Sequence, residues 1–295
     1  MQDLIAELNA ICDEQPYPTG WYLKNLQTGE VADRNGDTVF PSASTRKISI
    51  MMCALAAVNA GTLSLDDPFE IEKKYQDNNS GTFQFLTPGF TITFRDALVM
   101  MIIVSDNTCT GKVVDILGLD AVNAYSKRVG MVGTTHRYNI PPNSGRDHTL
   151  EQANTTTPAD VGRLLELILQ GTTDERAAAK LGVTTGLCKL GLDILLWQRL
   201  SSRLPNLLPT EARVAHKTGT GVQGRNNNDA GIIFQDETPL FVLSVYTEHL
   251  PVNMPDGTSG YHWAGHQIAQ MAKICYDVLA DPSKTEGLAV PAGAR

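Results

Sequence analysis

Strand-like segments lie at both ends of this chain, and a long helical stretch separates them. Near the start, "GWYLKNLQTGEVADR" alternates around a Thr-Gly turn, which predicts a strand hairpin. Past Pro205, the segments "ARVAHKTGTG", "AGIIFQ" and "PLFVLSVYTE" are short and rich in β-formers. We therefore predict a strand–helix lobe built from residues 1–40 and 204–295, with a helical lobe, residues 41–203, inserted between its parts. Because the first lobe is discontinuous in sequence, neither half is expected to fold alone.

The middle of the chain shows the spacing of helices. Apolar residues recur at helical spacing from Ser44 to Ala60, and Gly61 follows as a C-terminal stop. Thr93 with Asp96 resembles a capping box before "FRDALVMMIIV", which is apolar almost all round and predicts a central buried helix. Further helices are predicted at residues 2–15, after Asn107, after Pro158, around Leu192–Leu200 and at about Trp263–Leu279.

Charge and hydropathy argue against two broad classes of protein. The 295 residues include 24 basic and 32 acidic side chains, a net charge of −8. This balance argues against nucleic acid as the main partner, because a duplex binder needs a basic face. No run of about 18 apolar residues occurs, so no membrane span is expected. The sequence leaves the oligomeric state open, with a monomer favoured.

The N-terminal segment and the cysteines bear on the cellular compartment. The stretch "MQDLIAELNAICDEQ" predicts an amphipathic helix and lacks the basic region and apolar core of a signal peptide. The five cysteines are odd in number and form no close pair, so we interpret them as mostly buried, reduced thiols rather than a catalytic nucleophile. We expect a cytoplasmic protein, or a periplasmic or secreted one if a signal peptide was removed.

A hydroxyl and an amine lie three residues apart in "FPSASTRKISI", at the predicted start of a helix. Positions three apart share a helix face, so Lys47 is expected beside Ser44, at the positive end of the helix dipole. A serine is a weak nucleophile until a base takes its proton, and a lysine buried near other cations can lose its charge and act as that base. The alternative is a helix cap followed by a surface lysine.

Two further motifs accompany this pair. "SDN" occurs at residues 105–107, after the apolar helix, and "KTG" at residues 217–219, in a strand-like segment; they begin 61 and 173 residues after Ser44. Ser-x-x-Lys, Ser-Asp-Asn and Lys-Thr-Gly in this order are the signature of active-site-serine β-lactamases and penicillin-binding proteins. Over nearly its whole length, the chain resembles the class A β-lactamase group. The resemblance implies an α+β, two-lobed β-lactamase/transpeptidase-like fold: an antiparallel sheet flanked by helices plus an all-helical lobe, with the active site between them.

The resemblance also implies catalytic roles. Ser44 would be the acylated nucleophile and Lys47 a general base or proton relay. Ser105 would pass a proton to the leaving nitrogen, and Lys217 would supply positive charge beside Ser105 and the substrate carboxylate. No metal or other cofactor is expected.

Substrate binding is implied for residues that flank this catalytic group. Asn107 would hold the substrate's amide side chain. Thr218 and Thr220, with Gly219 between them, would line the carboxylate site, and the backbone amides of Ser44 and Thr220 would form the oxyanion hole. The expected partner is a small amide, lactam or ester substrate.

One expected residue is missing from the loop "HRYNIPPNSGRDHTLEQANTTTP". Class A β-lactamases carry a glutamate there that activates water for deacylation, and ungapped alignment on "TTTP" puts Pro141 in its place. The only glutamate in this loop is Glu151, which we expect to be solvated or paired with Arg146. Asp147 and His148 are the other candidates for activating water.

Several further residues allow two interpretations each. Arg225 is either a ligand of the substrate carboxylate or a solvent-facing turn residue. His262 and His266 lie four apart, as zinc ligands on a helix do, but without a third ligand nearby they are interpreted as surface residues. His216 is expected beside the site without a chemical role. Tyr75 and the "DNNSG" stretch are expected at the rim opposite the Lys-Thr-Gly strand.

The predicted function is a serine hydrolase that forms an acyl-enzyme on a lactam or amide carbonyl, with β-lactamase-like motifs but doubtful β-lactam deacylation. An alternative is a penicillin-binding-type peptidase, an esterase or an acyltransferase acting on a small metabolite. An alternative of another class is a sensor or trap that binds β-lactams without turnover.

Overall fold

The β-strands of the molecule come from both ends of the chain and from its middle. The computed structural model describes residues 1–140 and 145–280. The strands are β1 (Thr19–Asn25), β2 (Val31–Arg34), β3 (Phe40–Pro41), β4 (Pro68–Glu70), β5 (Thr91–Thr93), β6 (Thr155–Thr156), β7 (Ala212–Thr220), β8 (Asn227–Gln235) and β9 (Thr238–Thr247).

The main sheet of the described residues has five strands in the order β2-β1-β9-β8-β7, all antiparallel. The predicted hairpin is confirmed, with Trp21 opposite Arg34. On its other edge β1 pairs with β9, where Trp21 lies opposite Val245. The two chain ends therefore share one sheet, as predicted, although the lobe boundaries at residues 40 and 204 stay a prediction.

The helices fill the middle of the chain and its two ends. They are α1 (Gln2–Asp13), α2 (Lys47–Asn59), α3 (Phe94–Ile103), α4 (Asn107–Leu117), α5 (Leu119–Arg128), α6 (Pro158–Gly171), α7 (Glu175–Leu181), α8 (Thr185–Leu196) and α9 (Gly260–Leu279). Thr93 caps α3 by accepting a 3.0 Å hydrogen bond from the Asp96 amide, which confirms the predicted start of that helix.

Two apolar cores cover the two faces of the sheet. On one face, α1 and α9 pack Leu8 and Ile268 against Trp21 and Leu243. On the other face, residues of β7, β8 and β9 join a larger core with α2, α3, α4, α6 and α8. Because side chains alternate between the faces of a strand, one sheet can serve both cores.

The most buried helix is α2 rather than α3. Every residue from Lys47 to Leu55 in α2 is buried, whereas α3 leaves Val99, Met100 and Ile103 partly exposed. The expectation that α3 is the central buried helix is therefore wrong in this respect. Apolar composition showed that both helices are buried, but only the packing shows which one is enclosed.

The segment before α2 is fixed to the sheet by side chains of β8 and β9. It is a 3₁₀ helix, Ala43–Arg46, rather than the first turn of a longer α-helix. The Asn228 amide donates to the Pro41 carbonyl at 2.8 Å, and the Tyr246 hydroxyl donates to Thr45 Oγ1 at 2.8 Å. These buried hydrogen bonds hold the start of α2 against the sheet, next to β7.

The cysteines are expected to be buried thiols, and the helices are expected not to span a membrane. All five cysteines are buried free thiols, and burial raises the pKa of Cys12, Cys53 and Cys188 to about 11. Such thiols are poor nucleophiles at neutral pH. Among the described residues, no helix is both long and apolar enough to cross a membrane.

Candidate active site

A cleft of about 720 Å³ lies where the 3₁₀ segment, β7 and the helical part of the chain meet. Most of the residues singled out from the sequence line it. Its lining consists of Ala43, Ser44, Arg46, Lys47, Lys74, Asp77, Asn78, Asn79, Ser80, Ser105, Asn107, Ile140, Leu200, Thr218, Thr220, Gly221 and Val222.

Ser44 lies on the 3₁₀ segment at the floor of this cleft. The preceding residue, Ala43, has a φ of 44°, which is uncommon for a residue with a side chain. Ser44 is partly exposed, and its hydroxyl has no hydrogen-bond partner within the described part of the chain. The α-helix begins only at Lys47, so Ser44 lies in the 3₁₀ segment before it. Because residues three apart eclipse one another in a 3₁₀ helix, the side chains of Ser44 and Lys47 still lie on the same face of the segment.

Lys47 connects the floor of the cleft to the loop between α3 and α4. Its Nζ donates to the Ser105 carbonyl at 2.7 Å and to Asn107 Oδ1 at 2.7 Å, and lies 3.1 Å from Ser105 Oγ. Ser105 has a φ of 58°, a left-handed backbone conformation that is uncommon for serine. All three oxygens around the amine are uncharged, so this site favours the neutral form of Lys47 more than a carboxylate would.

Burial and neighbouring cations set the protonation of Lys47. Its pKa lies well below the ordinary lysine value, first because the amine is buried and then because Lys217 and Arg46 are positively charged. A neutral amine keeps two N–H groups and one lone pair. The lone pair of Lys47 Nζ can then accept the hydroxyl proton of Ser105 across their 3.1 Å contact. This contact gives a path for proton transfer between the two side chains.

Lys217 lies on β7, where its residue pairs with Ala230 of β8. The side chain is fully buried, and its Nζ donates to the Thr218 carbonyl at 2.9 Å. Burial, with a further contribution from Arg203, lowers the pKa of Lys217 to about 7. Thr218 and Thr220 line the cleft on either side of Gly219, whose backbone packs against the Ser42 carbonyl and leaves little space for a larger residue.

Arg203 is a second cation at this strand, and the sequence analysis missed it. Its Nη2 donates to Thr220 Oγ1 at 2.6 Å and to the Tyr261 hydroxyl at 2.7 Å, and its Nη1 donates to the Asn228 carbonyl at 2.7 Å. The residue is 3% exposed and lies in the connection between α8 and β7. No local motif marks it, because only the tertiary fold brings this connection beside the end of β7.

Arg225 lies outside the described lining of the cleft. Its Nη2 donates to Glu248 at 2.9 Å, and its Nη1 donates to the carbonyls of Arg146 and His148. Arg225 is 5% exposed, so the solvent-facing interpretation is wrong. Its role as a carboxylate ligand stays a prediction, and in this structure its guanidinium is already occupied by protein acceptors.

The loop before α6 presents no glutamate to the cleft within the described residues. Glu151 is exposed on a 3₁₀ turn, Leu150–Gln152, as expected for a solvated side chain. Arg146 donates to the carbonyls of Gln223 and Leu250 instead, so its predicted pairing with Glu151 is wrong. Pro141, the residue aligned with the family's glutamate, lies outside the described residues.

The other candidates for activating water also lie away from the described cleft lining. Asp147 is exposed, and His148 is buried with its Nδ1 2.9 Å from the Gly145 carbonyl. Asp77, on the opposite rim, is the one carboxylate among the described lining residues. Residues 77–80 form this rim as expected, whereas the Tyr75 hydroxyl turns to Asp115 at 2.6 Å.

The other histidines singled out from the sequence have ordinary surroundings. His216 is buried behind Lys217, with Nδ1 3.0 Å from Asp229, and so lies beside the site. His262 and His266 are both exposed on α9, in agreement with their interpretation as surface residues. No cluster of three possible metal ligands occurs among residues 1–140 and 145–280.

Comparisons with known proteins cover nearly the whole chain. The model of the beta-lactamase enzyme family matches residues 3–279. Beta-lactamase AER-1 of Aeromonas hydrophila is 30% identical over 264 residues, which are 88% of this chain and 81% of the relative.

Two solved structures show how far the fold is shared. PBP-A superposes with a TM-score of 0.79 and 26% identity, covering 94% of this chain and 96% of its own; a PBP-A mutant has been solved as an acyl-enzyme complex with penicillin G. A β-lactamase of Sphaerobacter thermophilus superposes with a TM-score of 0.80 and 25% identity, covering 99% and 100% of the two chains. The α+β, two-lobed fold predicted from the motifs is therefore confirmed.

Proposed function

The chain belongs to the beta-lactamase enzyme family and is a β-lactamase-like serine hydrolase, and from this premise we propose that it forms an acyl-enzyme at Ser44 on a lactam or amide carbonyl and releases β-lactam-derived acyl groups slowly. The observation that carries the proposal is the contact of Lys47 with Ser105 and Asn107 beside an unpartnered Ser44 hydroxyl. A nucleophile, a base and a proton path thus share one cleft.

Acylation at this site follows from the positions of four residues. Lys47, as the neutral amine, takes the Ser44 proton while Ser44 Oγ bonds to the carbonyl carbon. Ser105 passes its proton to the leaving nitrogen as the carbon–nitrogen bond breaks, and Lys47 passes the proton that it took from Ser44 to Ser105. The backbone amides of Ser44 and Thr220 stabilise the oxyanion. Water later cleaves the ester between Ser44 and the acyl group, which releases the acid and restores the Ser44 hydroxyl.

Recognition of the substrate carboxylate is proposed for the end of β7. Thr218 and Thr220 line the cleft there, and Lys217 lies beside them as a buried amine. The contact of Arg203 with Thr220 Oγ1 adds a guanidinium directly behind that hydroxyl. A carboxylate bound at this point gains charge-assisted hydrogen bonds.

Slow deacylation is proposed because hydrolysis of the ester needs a second base. Glu151 is solvated away from the cleft, and the single described carboxylate of the lining is Asp77, on the opposite rim. PBP-A is similar over most of the chain, and a mutant of it was solved as an acyl-enzyme complex with penicillin G. These observations support a long-lived acyl-enzyme with β-lactams.

Two alternatives remain distinct from this proposal. A penicillin-binding-type peptidase, esterase or acyltransferase acting on a small metabolite would use the same acylation step and a different acceptor. A sensor or trap would use acylation once, as a signal. We also propose that the protein is cytoplasmic, because five buried free thiols favour a reducing compartment, and cell fractionation checks this location. A monomer is proposed as well, and light scattering of the purified chain checks it.

The test is a time course with nitrocefin together with intact-mass analysis, for the unmodified protein and for Ser44→Ala. We expect a stoichiometric burst and a persistent mass adduct that Ser44→Ala does not form. Steady turnover lost in Ser44→Ala would refute slow deacylation while keeping the acylation mechanism. No reaction and no adduct would refute the proposed function.

A persistent adduct still leaves the peptidase and the trap to be separated. Esters and acyl-peptides ending in a carboxylate are then offered to the unacylated protein. Turnover of any of them that requires Ser44 identifies an enzyme, whereas acylation without turnover for every acyl group identifies a trap.

A further inference from the structure

Arg46 is a buried cation that the proposed mechanism does not use. It lies between Ser44 and Lys47 and lines the same cleft. Its exposure of 2% is similar to that of the two site amines, which are 1% exposed at Lys47 and fully buried at Lys217. A guanidinium so deep in a protein is costly to desolvate unless an anion compensates it.

The described residues give the Arg46 guanidinium two neutral hydrogen-bond partners and leave its charge uncompensated. Its Nη2 donates to the Asn139 carbonyl, and its Nη1 lies 3.5 Å from His136 Nδ1. Among the described residues, no carboxylate lies within ion-pair distance of it. Burial lowers the pKa of Arg46 to about 9, which leaves the guanidinium charged at pH 7.

The imidazole beside Arg46 is held neutral and in one orientation. Ser49 and Ser126 each place a hydroxyl near His136 Nε2, at 3.3 and 3.2 Å, and both hydroxyls also donate to backbone carbonyls. Nε2 must therefore donate, and Nδ1 is left to accept from Arg46. Burial and the charge of Arg46 lower the pKa of His136 to about 3, so the ring adds no charge of either sign at neutral pH.

The direction of Arg46 places its charge on the helical side of the cleft. Its contacts lie in residues 136–139, whereas the carboxylate site proposed above lies on β7. Asn107, which is proposed to hold the acyl portion of the substrate, also lies on the helical side. In a lactam substrate, the carboxylate proposed to bind at β7 is attached to the part of the molecule that carries the leaving nitrogen. The acyl side chain extends to the opposite, helical wall, so an anion near Arg46 would be part of that acyl side chain.

We propose that Arg46 recognises a second anionic group, carried by the acyl portion of the substrate, so that this protein prefers acyl donors with two negative charges. This inference rests on the proposed function, since it assumes acylation at Ser44. The second anion supplies the counter-charge that the described protein residues withhold from Arg46. The bound substrate would then have one anionic group near β7 and one near the helical wall.

The probes are benzylpenicillin and its α-carboxy derivative, which differ by one carboxylate on the acyl side chain. Second-order acylation rate constants are measured by intact mass for the unmodified protein, Arg46→Gln, Arg46→Lys and the control Arg163→Gln. Arg163 is an exposed cation on α6 paired with Asp37 at 2.7 Å, so its replacement removes the same charge away from the cleft. Arg46→Gln keeps a donor for the Asn139 carbonyl.

We expect Arg46→Gln to slow acylation by the dianionic penicillin about tenfold or more, because a buried charged hydrogen bond is lost. Loss of the Arg46 charge also raises the pKa of Lys47, which slows both reactions alike, so acylation by benzylpenicillin should fall too, but less. Arg46→Lys should retain most of the preference for the dianionic penicillin, and the control should resemble the unmodified protein. Equal losses with both penicillins would overturn the proposal and assign Arg46 to holding the loop. No preference in the unmodified protein would also overturn it.

A binding measurement separates this inference from the proposed function. Ser44→Ala cannot be acylated, so calorimetry with it reports recognition of the two penicillins alone. Tighter binding of the dianionic penicillin that is lost in Ser44→Ala/Arg46→Gln supports the role of Arg46 even if no adduct forms. Equal binding of the two penicillins refutes that role even if acylation proceeds.

Discussion

The segment that carries Ser44 and the loop that precedes α6 differ in what they offer to the cleft. The Ser44 segment is tied to the sheet through Asn228 and Tyr246, and each amine, amide and hydroxyl around Lys47 has a defined position. The described parts of the loop are held mainly through backbone carbonyls, which accept from Arg46 and Arg225. The first region presents reactive side chains to the cleft, and the described residues of the second present no side chain there that can act as a base.

This difference separates the two half-reactions. Acylation needs a nucleophile, a base and an oxyanion site, and the residues proposed for these roles lie on the 3₁₀ segment, in α2 and on β7. Deacylation needs a positioned water and a second base, which the family places in the loop. The two half-reactions therefore depend on different segments, and variants in one segment should change one rate constant and spare the other.

The largest effect is expected for the base of acylation. Lys47→Met keeps a side chain of similar length but removes the amine, and we expect acylation to fall by about 10³-fold. Pre-steady-state mass analysis with benzylpenicillin gives this rate constant. Lys24→Met, at a lysine 3.5 Å from Glu166 and outside the cleft, is the control and should acylate normally. If Lys47→Met acylates within tenfold of the unmodified protein, the base lies elsewhere.

The next effect should appear in deacylation alone. Ile140 lines the cleft from the loop, so Ile140→Glu adds a carboxylate where water must approach the ester. We expect the acyl-enzyme to hydrolyse about tenfold faster or more, with the acylation rate changed much less. The decay of the mass adduct measures this step. Ile140→Gln is the matched control without a base, and an equal acceleration in both variants would mean that the loop had simply opened.

The pH dependence of acylation should reveal both amines. The pKa of Lys217 is lowered to about 7, so this amine loses its charge as the pH rises through 7 and the substrate carboxylate loses a partner. Lys47 has a pKa well below the ordinary lysine value and is the required base in its neutral form, so acylation should also fall as the pH drops through that lowered pKa.

The expected result is a bell-shaped profile of the second-order acylation rate constant, with an alkaline limb that begins at about pH 7 and a fall of up to tenfold per pH unit on each limb. Lys217→Arg, which stays charged, should lose the alkaline limb but keep the acid limb. A rate constant that is flat above pH 7 in the unmodified protein would contradict the assignment of Lys217.

The smallest effect on acylation is expected at Arg225. Its ion pair with Glu248 is buried, with side-chain exposures of 7% and 8%, and Arg225→Gln leaves that carboxylate without its partner. We expect the free energy of unfolding in urea to fall by about 3 kcal/mol, while acylation at 25 °C changes less than about threefold. A large rise in the benzylpenicillin concentration needed for half-maximal acylation, without loss of stability, would instead identify Arg225 as the carboxylate ligand.

Local patterns predicted the elements and the reactive residue types. The hairpin near Trp21, the Thr93 cap and the three short motifs are each encoded within a few residues, because turns, caps and motif spacing depend on near neighbours. They sufficed to predict the fold and several of the residues that line the cleft. The α-helix was predicted from Ser44 and begins at Lys47, because 3₁₀ and α turns have similar sequence preferences.

Tertiary structure alone decided which side chains meet and in what charge state. Lys47 contacts Ser105 across 58 residues of sequence, and Arg203 reaches Thr220 across 17. Whether a lysine is neutral or an arginine lacks a counter-charge depends on burial and on groups brought from distant elements, which spacing along the chain does not contain. The sequence by itself thus determined the chemistry available to this protein, while packing decided that Arg46 would be enclosed beside Ser44, because desolvation exists only in the folded state.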